Sequence, residues 1–472
     1  MSLHTPVAVE LQPLLNKQKA YFNQRPCPDL SQRKSDLTRL KQALIAHQAE
    51  LIGALSQDYG HRSPHDSVIA DILPCINQIN YTLKHLKSWL RPSKRHAGLL
   101  LAPAKVTVHY QPVGVVGIIV PWNFPVILAL APLITALAAG NCAMIKLSEF
   151  TPATNKVLKK LLAIAFEAKQ VVTIEGEAEV AAAFSALAFD HLLFTGSTQV
   201  GRLVMAAAAK NLTPVTLELG GKSPVVIAED MPLDTAVERL IYGKCLNAGQ
   251  ICVAPDYVLL PKGKTSAFIA AFRQQFYAMY GEVDKNPDYS AIINPRQFER
   301  LQSLLQDARE KGAKIHSMDD KAVDLQGRKL PPQLITQVSD EMQIMQEEIF
   351  GPLLPILEYE TLDQAIDYIN QRPRPLALYI MSFDSNTTEQ IISQTHSGGV
   401  CVNDTLFHVA ADDAPFGGIG ASGMGHYHGK EGFLTLSHAK TVLSRGKFYS
   451  GKLVHPPYDN KLLQLLMKLF LR

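Results

Sequence analysis

The sequence predicts an α/β fold with two parallel-sheet domains, and two observations support this. From Gly114 onward, short runs of apolar, β-branched residues alternate with alanine-rich helical stretches, as in "GVVGIIV" followed by "PVILALAPLITALAAGN". A second series of strands and helices begins near "PVTLELGGKSPVVIAED". Alternation of strand and helix implies right-handed crossovers and a parallel sheet. With 472 residues, 47% of them hydrophobic, the chain can build two large cores.

The elements follow in order along the chain. Residues 30–90 are predicted to be helical, because apolar residues recur there at three- and four-residue intervals and glycine is scarce. The alternating "AKVTVHYQPVG" predicts a strand. After the first strand and helix, the first domain continues with the strands "CAMIKL", "VVTI" and "DHLLFTG" and the helices "ATNKVLKKLLAIAFEA" and "STQVGRLVMAAAAK". The second domain contains the helices "DTAVERLIYGKCLNAG" and "TSAFIAAFRQQFYAMY" and the strands "YVLLP" and "PLLPILEY".

Composition limits the possible partners. A net charge of +3 gives no electrostatic reason to bind nucleic acid. The six cysteines are scattered without CxxC spacing, so we predict no metal site and expect a reducing cytoplasm. The apolar stretch 126–140 is interrupted by proline and is shorter than the roughly 20 residues of a membrane span, so no transmembrane segment is predicted. The amphipathic ending "KLLQLLMKLFLR" is expected to dock on the protein itself or on a partner subunit, with weak membrane-surface contact as the alternative.

Two glycine-rich segments differ in what surrounds them. "GIGASG" (418–423) matches GxGxxG but lacks a preceding strand and a following helix, so we predict a loop rather than a nucleotide fingerprint. "GSTQVG" (196–201) follows a strand and opens a helix. Gly196 and Ser197 would then lie at a helix N-terminus, where a pyrophosphate can bind. A simple serine cap is the alternative, and both can hold.

Polar residues also follow two other predicted strands. Lys146 and Glu149 end "MIKLSE", where they can bind ribose hydroxyls or form an ordinary solvated pair. Asn123 lies between two prolines in "VPWNFP" and is either a rigid amide donor for an oxyanion or a turn residue. Ligands of parallel sheets bind at the carboxyl ends of strands. At this point both interpretations of Lys146 and Glu149 stay open, and for Asn123 a turn residue is the more common case.

Two further residues are candidates for covalent and acid–base chemistry. Cys252 in "NAGQICVAPDYV" is either a buried filler or a nucleophile. Glu218 in "LELGG" lies between leucines in a strand that ends at two glycines. Partial burial there would raise its pKa towards that of a general base, whereas a solvent-facing glutamate is the alternative. Cys245, seven residues before Cys252, is predicted to share its helix face.

Six motifs in order carry a resemblance to a known family: "PWNFP", "FTGSTQVGR", "LELGGKSP", "NAGQICVAPDYV", "EEIFGP" and "PFGGIGASGMGHYHGKEGF". Together they resemble the NAD(P)-dependent aldehyde dehydrogenase superfamily, over nearly the whole chain. The ending "GASGMGHYHGKEGF" is similar to the class 3 branch, and "DYGHRS" is similar to coniferyl aldehyde dehydrogenases within it.

The resemblance implies roles for individual residues. Cys252 would be the nucleophile, Glu218 the general base, and Asn123 an oxyanion donor together with the Cys252 backbone N–H. Cofactor-binding residues would be Lys146 and Glu149 at the adenine ribose; Gly196, Ser197 and Gly201 at the pyrophosphate, with Trp122 close by; and Glu348 and Phe350 at the nicotinamide ribose and ring.

The resemblance also implies a domain organisation. It comprises a cofactor-binding domain with N-terminal helices (1–217, with 396–430 returning to it), a catalytic domain (218–395), and oligomerisation strands (103–113 and 431–450) that imply a homodimer.

The expected reaction is oxidation of an aldehyde to the carboxylic acid, through a thiohemiacetal and a thioester on Cys252. Glu149 favours NAD, with NADP as the alternative. We expect an aromatic or unsaturated substrate such as coniferyl aldehyde. Candidates for an apolar pocket are Tyr242, Tyr257, Phe407 and His408, with ordinary packing as the alternative for each. The alternatives are a medium- or long-chain aliphatic aldehyde, a CoA-acylating enzyme, and a non-catalytic binding protein on this scaffold.

Overall fold

The computed structural model describes residues 7–98, 101–319, 327–447, 451 and 455–471, and these residues form three β-sheets with flanking helices. The N-terminal segment is helical, as predicted. Its elements are α1 (Val7–Gln24), α2 (Leu30–Ala46), α3 (Gln48–Tyr59), α4 (Pro64–Ser67), a π-helical turn (Val68–Ile72), α5 (Leu73–Trp89), β1 (Ser93–Arg95) and β2 (Lys105–Pro112).

The first α/β unit follows the predicted alternation. Its elements are β3 (Val115–Ile119), α6 (Ile127–Ala139), β4 (Cys142–Lys146), α7 (Pro152–Ala165), β5 (Val171–Ile174), α8 (Ala178–Ser185), β6 (His191–Thr195), α9 (Thr198–Ala209) and β7 (Val215–Glu218). Strands β3, β4 and β6 are buried along their whole length, which explains why their sequences are mainly apolar. Helix α6 ends where Gly140 adopts a left-handed conformation with φ 91°.

The second unit and the C-terminal region complete the chain. The second unit contains β8 (Pro224–Ile227), α10 (Leu233–Cys245), β9 (Tyr257–Pro261), α11 (Thr265–Tyr280), α12 (Pro295–Glu310), β10 (Lys314–Ser317), β11 (Gln333–Thr336), α13 (Gln343–Gln346), β12 (Leu353–Tyr359), α14 (Leu362–Asn370), β13 (Ala377–Met381), α15 (Ser385–Gln394) and β14 (Gly399–Val402). After it come β15 (Gly423–Met424), α16 (Gly429–Thr435), β16 (Ser437–Ser444) and α17 (Lys461–Phe470).

The sheet topology confirms the predicted α/β class. The six-stranded sheet has the order β15-β7-β6-β3-β4-β5, and its strands are parallel except β15. The seven-stranded sheet has the order β10-β11-β12-β9-β8-β13-β14 and is parallel except for β10. In the first sheet the strand order reverses between β3 and β6, which is where ligands of such sheets bind.

One predicted domain boundary needs correction. The family resemblance placed residues 396–430 in the cofactor-binding domain, but β14 pairs in parallel with β13 and therefore lies in the seven-stranded sheet. The chain pairs again with the six-stranded sheet only at β15, which runs antiparallel to β7. The sequence of β14, "GVCV", cannot reveal this, because the partner of a short strand depends on which sheet edge is free.

The third sheet contains the strands that were predicted for oligomerisation. Strands β1, β2 and β16 form an antiparallel sheet in which β2 pairs with β16 along its whole length. The predicted segment 431–450 is only partly strand, because α16 occupies its beginning. Residues 448–450 of this prediction lie outside the described residues.

The C-terminal helix α17 is amphipathic, as its sequence predicts. Leu463 is buried, whereas most of its other apolar side chains are exposed. This chain therefore covers little of the apolar face of α17. Among the residues that the structure describes, no helix is both long and apolar enough to cross a bilayer.

Candidate active site

The predicted site residues of the first α/β unit lie at one edge of the six-stranded sheet. Asn123 follows β3, Lys146 ends β4, Gly196 follows β6 and Glu218 ends β7. These strands are parallel, so their carboxyl ends face the same side. Between Glu218 and Pro224 the chain crosses from this sheet to the seven-stranded sheet, so Glu218 lies where the two units meet.

Cys252 lies on a strained turn after α10 and not on the helix itself. Helix α10 ends at Cys245, and Asn247 and Ala248 then adopt left-handed conformations with φ 49° and 53°. The prediction that Cys245 and Cys252 share a helix face is therefore wrong, because this turn redirects the chain between them. Strained backbone of this kind persists where surrounding contacts impose it, which is common at active sites.

Asn247 and Gln250 hold this turn, and the sequence analysis did not assign them a role. The Asn247 backbone N–H donates to the Asp66 carboxylate over 3.1 Å. The Gln250 side chain donates to the carbonyls of Asn247 (2.9 Å) and Ala291 (3.1 Å) and accepts from the backbone N–H of Ile293 (3.0 Å). Polar residues directly beside a candidate nucleophile were the available signal, but their partners are remote in sequence.

Asn123 is buried and lies against the turn that carries Cys252. Its side-chain Nδ2 donates to the Gln250 carbonyl over 3.2 Å, two residues before Cys252. An amide nitrogen carries two protons, so a second one remains for another acceptor. The structure thus brings together Asn123 and the nucleophile candidate, which are 129 positions apart in the sequence.

Glu218 is buried without a partner for its carboxyl group. Neither carboxyl oxygen has a hydrogen-bond partner among the described residues, and burial raises the pKa of Glu218 well above its ordinary value. The backbone around it is tightly fixed, because its carbonyl accepts from the Gly196 N–H over 3.0 Å. A carboxyl whose pKa burial has raised holds its proton more strongly than an exposed one, which suits a general base.

Cys252 and Glu218 line one cavity of about 350 Å³. This volume is suitable for a small organic molecule. The walls are mainly apolar and include Phe124, Leu128, Ile251, Leu406, Phe416 and Tyr427. Within the described part of the chain, no lysine or arginine lines it, and Glu218 and Asp412 are its carboxylates.

The structure separates the four predicted pocket residues into two pairs. Tyr242 and Phe407 line the cavity, with nearly parallel rings whose centroids are 6.0 Å apart. Tyr257 is buried within β9 and His408 packs against Tyr379 and Phe416, and neither lines the cavity. Those two predictions are therefore wrong, because alternation along a strand or loop does not show which face meets a cavity between domains.

The N-terminus of α9 carries the predicted pyrophosphate residues. The Ser197 hydroxyl accepts from the backbone N–H of Val200 over 3.4 Å, so it is a helix cap. Gly201 lies against Leu219, where an added Cβ would come within 2.6 Å of a leucine methyl carbon. Glycine at this position therefore allows α9 to pack closely on the end of β7, which brings the helix N-terminus next to Glu218.

Lys146 and Glu149 form an ion pair, with Nζ and Oε2 3.0 Å apart. Lys146 is buried, whereas the Glu149 side chain is 35% exposed. A partly exposed carboxylate next to a buried lysine can accept from hydroxyl groups. The pair therefore suits the predicted ribose site and is also consistent with a simple surface pair.

Glu348, Phe350 and Trp122 lie together on the other side of the site. The rings of Trp122 and Phe350 meet edge-on at 5.2 Å. Burial, followed by the charge of Asp256, raises the pKa of Glu348 to about 8, and its Oε1 has no hydrogen-bond partner among the described residues. A Cβ on Gly220 would lie 2.0 Å from the Glu348 carboxylate, so only glycine allows this approach.

Three residues that the sequence analysis did not assign hold the loop that carries Glu348. Arg300 donates to the Ile349 carbonyl (2.6 Å), and Asp256 accepts from the Ile349 N–H (2.9 Å). Lys222 pairs with Asp256 and donates to the carbonyls of Ile344 (2.6 Å) and Glu347 (2.9 Å). Lys222 belongs to the motif "LELGGKSP", which is visible in the sequence. Its contacts with the loop that carries Glu348 are not, because that loop is remote in the chain.

The chain matches one known protein family over most of its length. The profile of the Aldehyde dehydrogenase family matches residues 15–442. The chain belongs to this family. A relative from Pseudomonas aeruginosa named "Probable coniferyl aldehyde dehydrogenase" is 51% identical over 463 residues, which cover 98% of this chain and 97% of the relative.

Solved structures of aldehyde dehydrogenases confirm the predicted fold. The substrate-bound state of Staphylococcus aureus AldH is 40% identical, with a TM-score of 0.93 over 98% of this chain and 99% of that chain. A Mycobacterium tuberculosis aldehyde dehydrogenase complexed with NAD+ is 27% identical, with a TM-score of 0.84 over 94% and 91% of the two chains. The protein is accordingly an NAD(P)-dependent enzyme that oxidises an aldehyde to the carboxylic acid.

The residues of this aldehyde dehydrogenase fit such a dinucleotide. The fit rests on the unpartnered Oε1 of Glu348, which can accept from a hydroxyl, and on the capped N-terminus of α9, which favours an anion. The Trp122 and Phe350 rings supply an apolar wall beside them.

We expect Cys252 to be a protonated thiol in the cofactor-free enzyme. Burial, and then the charges of Glu348 and Glu218, raise the pKa of Cys252 to about 12. Below this pKa the thiolate fraction grows about tenfold per pH unit. The rate of Cys252 alkylation by iodoacetamide is therefore expected to rise about tenfold for each pH unit between pH 7 and pH 10. Mass spectrometry of the Cys252 peptide measures the rate, with the exposed Cys27 as internal reference. If the alkylation rate stops rising below pH 9, the expectation is wrong, because Cys252 then forms a thiolate without cofactor.

Proposed function

We propose that Cys252 attacks the aldehyde carbon, Asn123 stabilises the resulting oxyanion, and Glu218 activates water for release of the acid. The observation that carries this proposal is the shared cavity, in which Cys252 and a buried, unpartnered Glu218 face the same space. Asn123 supports it because its amide lies against the turn that carries Cys252.

In this scheme the Cys252 thiol gives up its proton to solvent, and the sulfur then adds to the aldehyde carbon to form a thiohemiacetal whose oxygen carries the negative charge. The Asn123 amide and the Cys252 backbone N–H hold the oxygen while the intermediate collapses to a thioester. Glu218 then takes a proton from the water that attacks the thioester carbon, and the carboxylic acid leaves. A bound dinucleotide supplies the hydride acceptor for the oxidation.

The proposed residues for that cofactor come from three loops. Lys146 and Glu149 would hold the adenine ribose, and Glu348 and Phe350 the nicotinamide end, near Trp122. The partly exposed Glu149 carboxylate would repel a 2′-phosphate, which favours NAD over NADP. Gly196, Ser197 and Gly201 would place the pyrophosphate at the N-terminus of α9.

The proposed substrate is an aromatic, α,β-unsaturated aldehyde such as coniferyl aldehyde. The apolar cavity walls and the Tyr242–Phe407 pair support an aromatic ring, and the P. aeruginosa relative carries that substrate in its name. Asp412 adds a polar residue to the cavity lining. It can accept from the phenolic hydroxyl of a hydroxycinnamyl aldehyde.

A homodimer in the cytoplasm completes the proposal. The strand pair β2–β16 supports the dimer, because β16 is a largely exposed edge of its sheet. The free state of all six cysteines supports a reducing compartment.

A substrate panel tests the proposed specificity. We expect kcat/KM for coniferyl aldehyde to exceed that for octanal by roughly 10–200-fold, the range that hydrophobic pockets reach, and succinic semialdehyde to be poorest. The semialdehyde carboxylate would enter a cavity that has two carboxylates and no lysine or arginine among its described lining residues. A preference for the semialdehyde would contradict the proposal, and a preference for octanal would favour the aliphatic alternative.

The substitution Asp412→Asn tests whether Asp412 contacts the phenolic hydroxyl of the substrate. It is expected to reduce the preference for coniferyl aldehyde over its 4-O-methyl ether, which cannot donate a hydrogen bond from that position. Asp413→Asn is the matched control, because Asp413 accepts from Tyr81 and does not line the cavity. An equal effect of both changes would remove Asp412 from the proposed site.

A further inference from the structure

A buried ion pair lies behind the loop that carries Asn123. Arg62 and Asp71 are both fully buried, with Nη2 and Oδ2 3.2 Å apart. Both belong to the N-terminal helical segment and not to either large sheet. Burying two opposite charges is unfavourable unless their surroundings compensate, so their contacts show what the pair holds.

The two side chains bind the two ends of the loop 123–127. Arg62 Nη1 donates to the Asn123 carbonyl over 2.9 Å. One oxygen of Asp71 accepts from the backbone N–H groups of Val126 (3.1 Å) and Ile127 (2.7 Å). The ion pair therefore connects the backbone of Asn123 to the first turn of α6.

Aromatic rings fix the Arg62 guanidinium in this position. Its central carbon lies 5.0 Å from the centre of the Tyr59 ring and 4.9 Å from that of Phe124. The Tyr59 hydroxyl donates to the same Asn123 carbonyl over 2.9 Å. A planar guanidinium can stack between rings and donate in two directions at once, whereas a lysine ammonium cannot.

The π-helical turn that carries Asp71 also forms part of the cavity wall. Asp71 lies on the π-helical turn Val68–Ile72, and Ile69 and Ala70 of this turn line the cavity, as does Leu73. Turns of this kind occur frequently at functional sites. The ion pair thus lies between the wall that contacts substrate and the loop that carries the oxyanion donor.

We propose that Arg62 and Asp71 are positioning residues that hold the Asn123 amide in line with the oxyanion. This inference rests on the proposed function of Asn123. A positioning role differs from a general contribution to folding, because the ion pair then affects kcat only through the side-chain amide of Asn123. Asn123→Ala must therefore abolish most of the benefit that Arg62 provides.

The test is a double-mutant cycle of Arg62→Lys and Asn123→Ala, with kcat, KM and the dissociation constant of NAD measured. Asn123→Ala alone is expected to lower kcat by about 10²–10³. Arg62→Lys alone is expected to lower kcat by about 10–100-fold, since a misplacement of roughly 1 Å has this effect. KM and NAD binding are expected to stay within about threefold. The double variant is expected to be about as slow as Asn123→Ala alone.

Arg33→Lys is the matched control. Arg33 is a buried arginine of the same helical segment, but it donates to the carbonyls of Pro28 (2.8 Å) and Ala138 (2.8 Å) and does not contact the Asn123 loop. We expect this variant to keep the wild-type kcat. Asp71→Asn provides a second cycle with Asn123→Ala, and it retains an oxygen for the amides of Val126 and Ile127.

The outcomes separate the two proposals. If Asn123→Ala lowers kcat less than threefold, the oxyanion role of Asn123 fails. If Asn123→Ala is strongly impaired but its effect is additive with both Arg62→Lys and Asp71→Asn, the positioning role fails and the pair only stabilises the fold. An equal loss in Arg33→Lys would also overturn the positioning role.

Discussion

Cys252→Ala is expected to abolish aldehyde oxidation, with a loss in kcat of more than ~10⁴-fold. Alanine cannot form the covalent bond to the aldehyde carbon. The residues proposed to bind the dinucleotide lie on other loops, so NAD binding is expected to stay within about twofold. Absorbance of NADH measures turnover, and calorimetry measures NAD binding.

Cys245→Ala is the matched control for this experiment. Cys245 is a buried cysteine at the end of α10 that does not line the cavity, and its replacement is expected to leave turnover nearly unchanged. Turnover of Cys252→Ala well above background would show that another group, or direct hydride loss from a hydrated aldehyde, carries the reaction.

Glu218→Gln is expected to separate the two halves of the reaction. Glutamine keeps the shape of the side chain but cannot take a proton from water. The first half needs no base at Glu218 when the Cys252 thiol loses its proton to solvent, so rapid mixing is expected to show a burst of about one NADH per active site. Steady turnover is then expected to be slower by about 10²–10⁴, the usual contribution of a general base.

Glu431→Gln removes a carboxylate that lies on α16 outside the cavity lining, and it is expected to behave like the wild type. For Glu218→Gln, loss of the burst with steady turnover preserved would reverse the proposed order. Recovery of turnover on addition of CoA would favour an enzyme that transfers the acyl group to CoA.

The sequence by itself determined the fold class, many of the elements of the first α/β unit and the identity of the candidate catalytic residues. Strand β3 is a continuous apolar run, β4 is apolar up to Lys146 at its end, and α6 is closed by Gly140, so their bounds depend on local patterning and capping. Cys252, Glu218 and Asn123 each follow or end an element within a motif. Polar residues at such places are visible without knowing what surrounds them.

Only the tertiary structure decided how these residues are surrounded. The burial that raises the pKa of Glu218 comes from the meeting of the two sheets. The sheet that β14 joins and the pocket role of Tyr242 rather than Tyr257 depend on the same packing. Arg62 reaches the Asn123 carbonyl from 61 positions away in the chain. Contacts between distant segments leave no local pattern, because each segment satisfies only its own periodicity and caps, and the chain must fold before its partners are defined.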